Sequence, residues 1–151
     1  MPPAPGTSWE RTTVIYTISY QNGLMKADSG HIVFKGKFKW KDLKDSFEEV
    51  LRAFLQETDQ VPDEDDIFQM FLRINMMDLE KNRKPEGFNR RGRLRLVFPN
   101  RSDRREMYIR SEIKTAEVVR VTEKLSRMLK KAGVPHTVEW DQLRHLQQEQ
   151  V

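Results

Sequence analysis

The sequence contains no cysteine, and this absence removes several classes of protein. A chain without thiols has no disulfide framework, no thiolate zinc site and no cysteine nucleophile. That suits a reducing compartment, so we expect an intracellular protein, either cytoplasmic or nuclear. The N-terminal stretch MPPAPGTSWE has neither a basic start nor an apolar run. We therefore expect that the chain is not secreted by a classical signal.

Long apolar runs and catalytic motifs are missing too. No stretch approaches the roughly 20 apolar residues of a membrane-spanning helix, so we expect no transmembrane segment. The seven glycines form no phosphate-binding loop, and the three histidines are scattered. The acidic stretch DQVPDEDD lacks the ligand spacing of a calcium loop. We expect no enzyme, no cofactor and no metal; a metal-dependent hydrolase using Glu64, Asp65 and Asp66 is a third hypothesis.

Charge is the most informative feature that is present. The net charge of the whole chain is only +4. Residues 81–110 alone carry eleven Lys and Arg against three acids, so the rest of the chain is net negative. Such a concentration bears on the choice of partner rather than on the fold.

The N-terminal part of the chain predicts a β-hairpin and then a helix. Residues 12–20, TTVIYTISY, are β-branched and aromatic, as in a strand. Residues 31–42, HIVFKGKFKWKD, alternate apolar and lysine residues, which predicts a second strand after an Asn-Gly turn. Residues 42–58 place their apolar side chains on one stripe of a helix.

The stretch IFQMFLRINMM, residues 67–77, fits two patterns. Phe68, Met70, Leu72, Ile74 and Met76 alternate as in a strand, although helical spacing also fits. We interpret it as a buried central strand. Two further strands are predicted over 93–98 and 106–110, a second helix over 115–133, and an edge strand over 136–140.

These elements predict an α+β fold in the order β-β-α-β-β-β-α-β. We expect an antiparallel sheet of about five strands with two main helices packed on one face. Residues 1–11 are expected to form a flexible N-terminal segment and residues 12–140 a single domain. Residues 141–151 are expected to form a C-terminal tail, with a short helix as one option.

Three of these elements carry rows of cations that are candidates for contacting phosphates. With period two, the lysines of the second strand project from one face. The arginines and lysines of the second helix form a stripe along one side of it. Arginines dominate the third group, and their planar fork suits phosphate oxygens. The candidate residues are Lys35, Lys37, Lys39, Arg90, Arg91, Arg93, Arg95, Arg101, Arg104, Arg105, Arg120, Lys124, Arg127 and Lys131.

Each row also has a plain structural interpretation. Lysines on the outer face of a strand deter aggregation, and a charged stripe is the ordinary solvent-facing side of a helix. The arginine group is harder to explain in this way, because so many like charges repel one another unless a partner compensates. Phe88 and Tyr108 lie beside these arginines in the sequence and could stack on unpaired bases.

The predicted element order over residues 42–132, α-β-β-β-α, resembles that of a double-stranded-RNA-binding domain. Such domains open their second helix with a lysine cluster, whereas only Lys114 stands there in this sequence. The resemblance favours RNA as partner, but no site residue is carried over from it.

Two function hypotheses follow. The first is a non-enzymatic basic domain that binds nucleic acid through its phosphates, with RNA or single strands favoured. The alternative is a structural or assembly protein, matrix-like or an adaptor. It would form a homo-oligomer, or contact an anionic membrane peripherally or an acidic partner, through the same basic surface.

Overall fold

The computed structural model describes residues 25–144, which form four strands and three α-helices. The strands are β1 (Ala27–Phe34), β2 (Arg95–Val97), β3 (Glu106–Thr115) and β4 (His136–Trp140). The helices are α1 (Lys44–Glu57), α2 (Asp65–Glu80) and α3 (Ala116–Lys131), and a short 3-10 turn (Trp40–Leu43) precedes α1. Within this range, no helix combines the length and the apolar character that crossing a membrane requires.

The strands form one antiparallel sheet in the order β2-β3-β1-β4. In register, Ile32 of β1 lies opposite Met107 of β3 and Val138 of β4, and Leu96 of β2 lies opposite Ile109. The predicted α+β class with an antiparallel sheet is therefore confirmed. Of the strands predicted within the described residues, 93–98, 106–110 and 136–140 all form, and β4 is an edge strand as expected.

The helices build the core on one side of the sheet. α3 packs on β1 and β3, α1 packs on α3, and α2 packs on α1. Helix α3 begins at the capping residue Thr115, whose side chain accepts a hydrogen bond from the Glu117 N–H. Its apolar stripe, which includes the buried Val118 and Leu125, faces the sheet as its spacing predicts.

The prediction of a strand over residues 67–77 is wrong, because these residues lie within helix α2. Its buried positions are Phe68, Leu72, Asn75 and Leu79, spaced four, three and four apart, as on one face of a helix. With a helix here, residues 42–132 run α-α-β-β-α. The element order that resembled a double-stranded-RNA-binding domain is therefore not present.

The strand predicted over residues 31–42 is correct only as far as Phe34. Gly36 has a φ of 69°, a left-handed conformation that ends the extended run. Phe38 then folds back and stacks on Phe34, with ring centroids 4.1 Å apart. Lys35, Lys37 and Lys39 thus lie on a loop, not on one face of a strand.

The strand over residues 31–34, the second arm of the predicted hairpin, belongs to β1, which is hydrogen-bonded to β3 on one side and to β4 on the other. Residues 12–20 themselves lie outside the described residues. The same holds for residues 1–11 and for most of the predicted C-terminal tail, since the description ends at Arg144.

Candidate nucleic-acid interface

Two loops meet at one end of the sheet and bring several cations together. The Lys35 N–H donates to the carbonyl of Pro135 at 3.1 Å, which ties the loop after β1 to the loop after α3. The Phe34 N–H donates to the carbonyl of Arg105 at 3.0 Å, which fixes the start of β3 beside them. We call this surface the lysine end; it comprises Lys35, Lys37, Lys39, Arg105, Lys130 and Lys131.

Two cations of the lysine end, Lys35 and Lys130, are close enough to influence each other. Partial burial, followed by repulsion from Lys35, holds the pKa of Lys130 below its usual value. The pKa of His136, which is buried beneath, falls to about 4 mainly because of burial, and the charges of Lys130 and Lys35 lower it further. Lys35, Lys130 and His136 therefore interact electrostatically although they come from different parts of the sequence.

A shallow open groove of about 440 Å³ runs between the two loops. Residues 35–38 form one wall and residues 132–135 the other. Asp42 stands at the rim, where its carboxylate accepts the Lys39 N–H at 2.9 Å and begins the 3-10 turn. The groove gives an anion a concave place to lie among the lysines.

Part of the predicted arginine group, namely Arg90, Arg93 and Arg95, lies away from the lysine end. Arg95 lies opposite Arg110 on β3. Arg110 is five residues from Arg105, which is about 17 Å along a strand. Arg93 forms a two-point ion pair with Glu117 at the start of α3. Arg90 stacks over the ring of Phe71 at 5.2 Å. Arg90 and Arg93 are thus engaged within the chain.

Most cations of the stripe on α3 likewise form ion pairs with acids of the chain. Arg120 and Lys124 both bind the carboxylate of Glu57 at the end of α1, the latter at 3.0 Å. Their contacts hold the pKa of Glu57 below its usual value. Arg127 pairs with Glu123 on the same helix at 2.6 Å. Lys131, in the last turn, is exposed and follows Lys130 of the lysine end directly.

Arg101 and Arg104 belong to a polar network on the sheet face opposite the helices. Both contact Glu106, which is fully buried, at 3.3 and 3.0 Å. His31 is also fully buried, with its Nδ1 3.5 Å from Glu106 and its Nε2 2.8 Å from the Ser29 hydroxyl. Burial alone would raise the pKa of Glu106, but His31, Arg104 and Arg101 outweigh burial and lower it.

The aromatic residues suggested for base stacking are buried. Phe88 packs between Phe54 and Phe71, with centroids 6.1 and 5.4 Å away. Tyr108 lies against His31 at 5.0 Å. Neither ring is more than 8% exposed, so neither offers a face to a base.

Sequence reasoning missed Lys130, because the helical stripe was traced through its neighbour Lys131. The signal for it is the pair of lysines just before Gly133, where the chain leaves α3 and turns back towards β1. Within residues 25–144, no cluster of side chains has the composition of a metal site.

Comparison of the chain with protein-family models, with curated proteins and with solved structures gave no match.

Proposed function

We propose that this protein is a non-enzymatic domain that binds nucleic acid through phosphate contacts at the lysine end, with RNA or single strands favoured. The observation that carries the proposal is the meeting of Lys35 and Lys130 across two loops far apart in sequence. Like charges held this close repel one another, and a phosphate lying between them relieves that repulsion.

The geometry favours the lysine end over the arginine group as the main contact. Arg93, Arg120 and Lys124 already have carboxylate partners, and moving them to a phosphate would break those ion pairs. Lys37 and Lys131 are exposed, and no described residue forms an ion pair with either side chain. The open groove between the loops suits a flexible single strand better than a rigid duplex.

Salt dependence tests the proposal directly. If about six phosphates are contacted, a log–log plot of affinity against salt should have a slope of about −4 for single-stranded RNA. The affinity should then fall by a factor of roughly 300 between 50 and 200 mM salt. Fluorescence anisotropy with a labelled oligonucleotide measures both quantities, and a flat plot would contradict the proposal.

A matched pair of charge reversals locates the surface. Lys37→Glu with Lys131→Glu should weaken RNA binding and make the salt slope shallower by about 1.4, since two phosphate contacts are lost. Lys26→Glu with Arg73→Glu makes the same change in net charge at exposed positions elsewhere. Equal losses in the two double variants would show that only net charge matters and would overturn the assignment of the surface.

Two further arms distinguish the alternative partners. Co-sedimentation with vesicles containing an anionic lipid tests a peripheral membrane contact, and light scattering tests self-association through the same cations. Binding to vesicles but not to RNA would overturn the nucleic-acid proposal in favour of a membrane-surface protein. Oligomers that are dissolved by the lysine reversals would favour the assembly alternative.

A further inference from the structure

Helix α2 has an apolar row on its outer side that no described element covers. The inner side of the helix packs on α1. Four apolar side chains on the outer side are between 38% and 52% exposed, and we call them the α2 row: Ile67, Met70, Ile74 and Met77. Over residues 25–144, the other large apolar side chains with such exposure are Val61 and Ile113. An apolar patch concentrated in this way usually marks an interaction site.

The α2 row forms a ridge against which another helix can pack. Its members follow one another at intervals of three, four and three, so they lie on one side of α2. From Ile67 to Met77 the ridge is about 15 Å long, at 1.5 Å per residue. Amphipathic helices bind such surfaces with apolar side chains that are themselves spaced three and four residues apart. Methionine at two of the four positions adapts readily to the side chains of a partner.

Acidic residues lie at both ends of the α2 row. Asp65 and Asp66 are in the first turn of α2, and the last turn contains Asp78 and Glu80 but no base. Arg73 is the single base in the sequence of the helix. Four acids against one base give α2 a charge of −3, whereas the whole chain carries +4. An apolar row with acids at both ends is complementary to a partner that is apolar and basic.

The acids at the N-terminal end of the α2 row have no partner within the described chain. Residues 63–66, DEDD, are all exposed, and no described base forms an ion pair with any of them. At the other end, Arg83 pairs with Asp78 at 3.4 Å, and Lys81 follows the helix directly. Acids in a first turn also suit the helix dipole, but the dipole does not require an apolar row beside them. The uncompensated negative charge is therefore greatest beside Ile67.

We propose that the α2 row binds a basic amphipathic helix of another protein. The apolar side chains of the partner cover Met70 and Ile74, and its Lys or Arg residues lie towards residues 63–66. The charges also set the orientation: the more basic end of the partner lies at the N-terminal end of α2, away from Lys81 and Arg83. The inference does not rest on nucleic-acid binding, since this surface contains no residue of the lysine end.

A synthetic cationic peptide is the probe for this surface. It has about 18 residues, or five helical turns, with leucine at intervals of three and four and lysine at the flanking positions. The α2 row offers only a few hundred Å² of apolar area, so we expect a dissociation constant on the order of 10 to 100 µM by fluorescence anisotropy. A peptide of the same composition, reordered so that it has no apolar side, should bind at least about tenfold more weakly. Equal affinities of the two peptides, or no binding of the amphipathic one, overturn the proposal.

Substitutions in the α2 row test where the peptide binds. Met70→Gln with Ile74→Gln should weaken binding at least about tenfold, because the apolar contact is lost while the net charge stays the same. Ile113→Gln is the matched control, since it makes the same kind of change at an exposed position on β3. All three positions are on the surface, and thermal unfolding checks that the fold is retained. An unchanged affinity in the double variant overturns the assignment of the surface.

Neutralising the first-turn acids tests the charge argument. Asp65→Asn with Asp66→Asn should weaken the amphipathic peptide about fivefold and make its binding less sensitive to salt. Glu112→Gln with Glu123→Gln removes the same charge from β3 and α3, away from α2, and should have a much smaller effect. Equal losses in the two double variants would show that only the net charge of the protein matters, and would overturn the basic partner.

Two other occupants of the α2 row are separate outcomes of the test. Sedimentation velocity of the whole chain up to about 200 µM detects self-association. Dimers that Met70→Gln with Ile74→Gln dissolves, together with no peptide binding, would overturn the proposal in favour of a second copy. Co-sedimentation with zwitterionic vesicles that is lost in the same variant would instead assign the α2 row to a lipid surface.

Discussion

The amide oxygen of Asn75 accepts a hydrogen bond of 2.7 Å from the backbone N–H of Gly87, and both residues are buried. The Asn75 amide nitrogen donates to the carbonyl of Phe71 on its own helix at 2.8 Å. The hydrogen bond between Asn75 and Gly87 ties the loop that follows α2 back to α2 itself. Gly87 has a φ of 75°, and a Cβ there would lie 2.5 Å from the carbonyl oxygen of Leu96. We call this hydrogen-bonded pair the Asn75–Gly87 anchor, and it requires both residues.

Replacing Asn75 by alanine should lower the free energy of unfolding by about 2 kcal/mol, because the Gly87 N–H would stay buried without a partner. Urea unfolding followed by circular dichroism measures the change. Asn89→Ala, at an exposed position beyond the same loop, is the control and should change stability by less than about 0.5 kcal/mol. Equal effects of the two substitutions would contradict the anchor.

His136 should make stability depend on pH. Its Nδ1–H donates to the carbonyl of Val134 and its Nε2 accepts from the Ser126 hydroxyl at 2.7 Å, so the buried ring is held neutral. Burial lowers its pKa from 6.5 to about 4 in the folded state. Between these two pH values the unfolded chain takes up a proton and the folded chain does not. The free energy of unfolding should therefore fall as pH decreases from about 6.5 to 4, by about 3 kcal/mol in all.

Chemical unfolding at a series of pH values tests this titration. His136→Gln removes the titrating group, so its unfolding free energy should change much less over the same pH range, even though the variant is less stable at pH 7. If parent and variant have the same pH dependence, another group is responsible.

The buried carboxylate of Glu106 should be critical for stability. Glu106→Gln leaves Arg101 and Arg104 next to a neutral amide, and breaking a buried ion pair from one side costs about 3 to 5 kcal/mol. In the parent the pKa of Glu106 is lowered, so its contribution is present above the usual glutamate pKa and is lost as pH falls through the lowered folded value. Glu112→Gln, at an exposed position on the same strand, is the control for thermal unfolding. Little loss of stability in Glu106→Gln would show that the network is dispensable.

Helix α3 approaches the sheet closely at Gly30. A Cβ at this position would lie 2.1 Å from the Thr122 hydroxyl oxygen and 2.7 Å from the Trp140 ring. Gly30→Ala should cost about 1 to 3 kcal/mol through overpacking. Adding Thr122→Ala should recover part of that cost, since it removes the nearest atom. A double-mutant cycle measures the recovery, and strict additivity would show that the two residues do not meet.

The strand predicted over residues 67–77 shows where a single sequence misleads. A helix with one apolar side reveals its period, but α2 has an inner apolar side and the outer α2 row. With Met70 and Ile74 placed between Phe68 and Leu72, apolar residues fall at every second position and imitate a strand. The ambiguity was itself a sign of a helix with two apolar sides. By contrast α1 and α3, with one stripe each, are predicted correctly.

The candidate site was less predictable because its ion pairs join residues that are far apart in the sequence. Nothing near Arg93 or Arg120 in the sequence reveals that Glu117 and Glu57 neutralise them, since these acids lie 24 and 63 residues away. The left-handed turn at Gly36 likewise converts an apparent lysine face of a strand into a loop. The charges are readable from the sequence, but the fold decides which of them meet one another and which meet an acid.

The central position of β1 also has a consequence for how the chain folds. This strand comes first among the described elements, yet both of its neighbours, β3 and β4, lie more than 70 residues further along. The hydrogen bonds on both sides of β1 therefore form only after loops of more than 70 residues have closed. Such a topology slows folding. During synthesis, β1 must wait unpaired until residues beyond 106 have left the ribosome. The apolar face formed by Ile32 and Phe34 is covered only once α3, which packs on β1, has been translated as well.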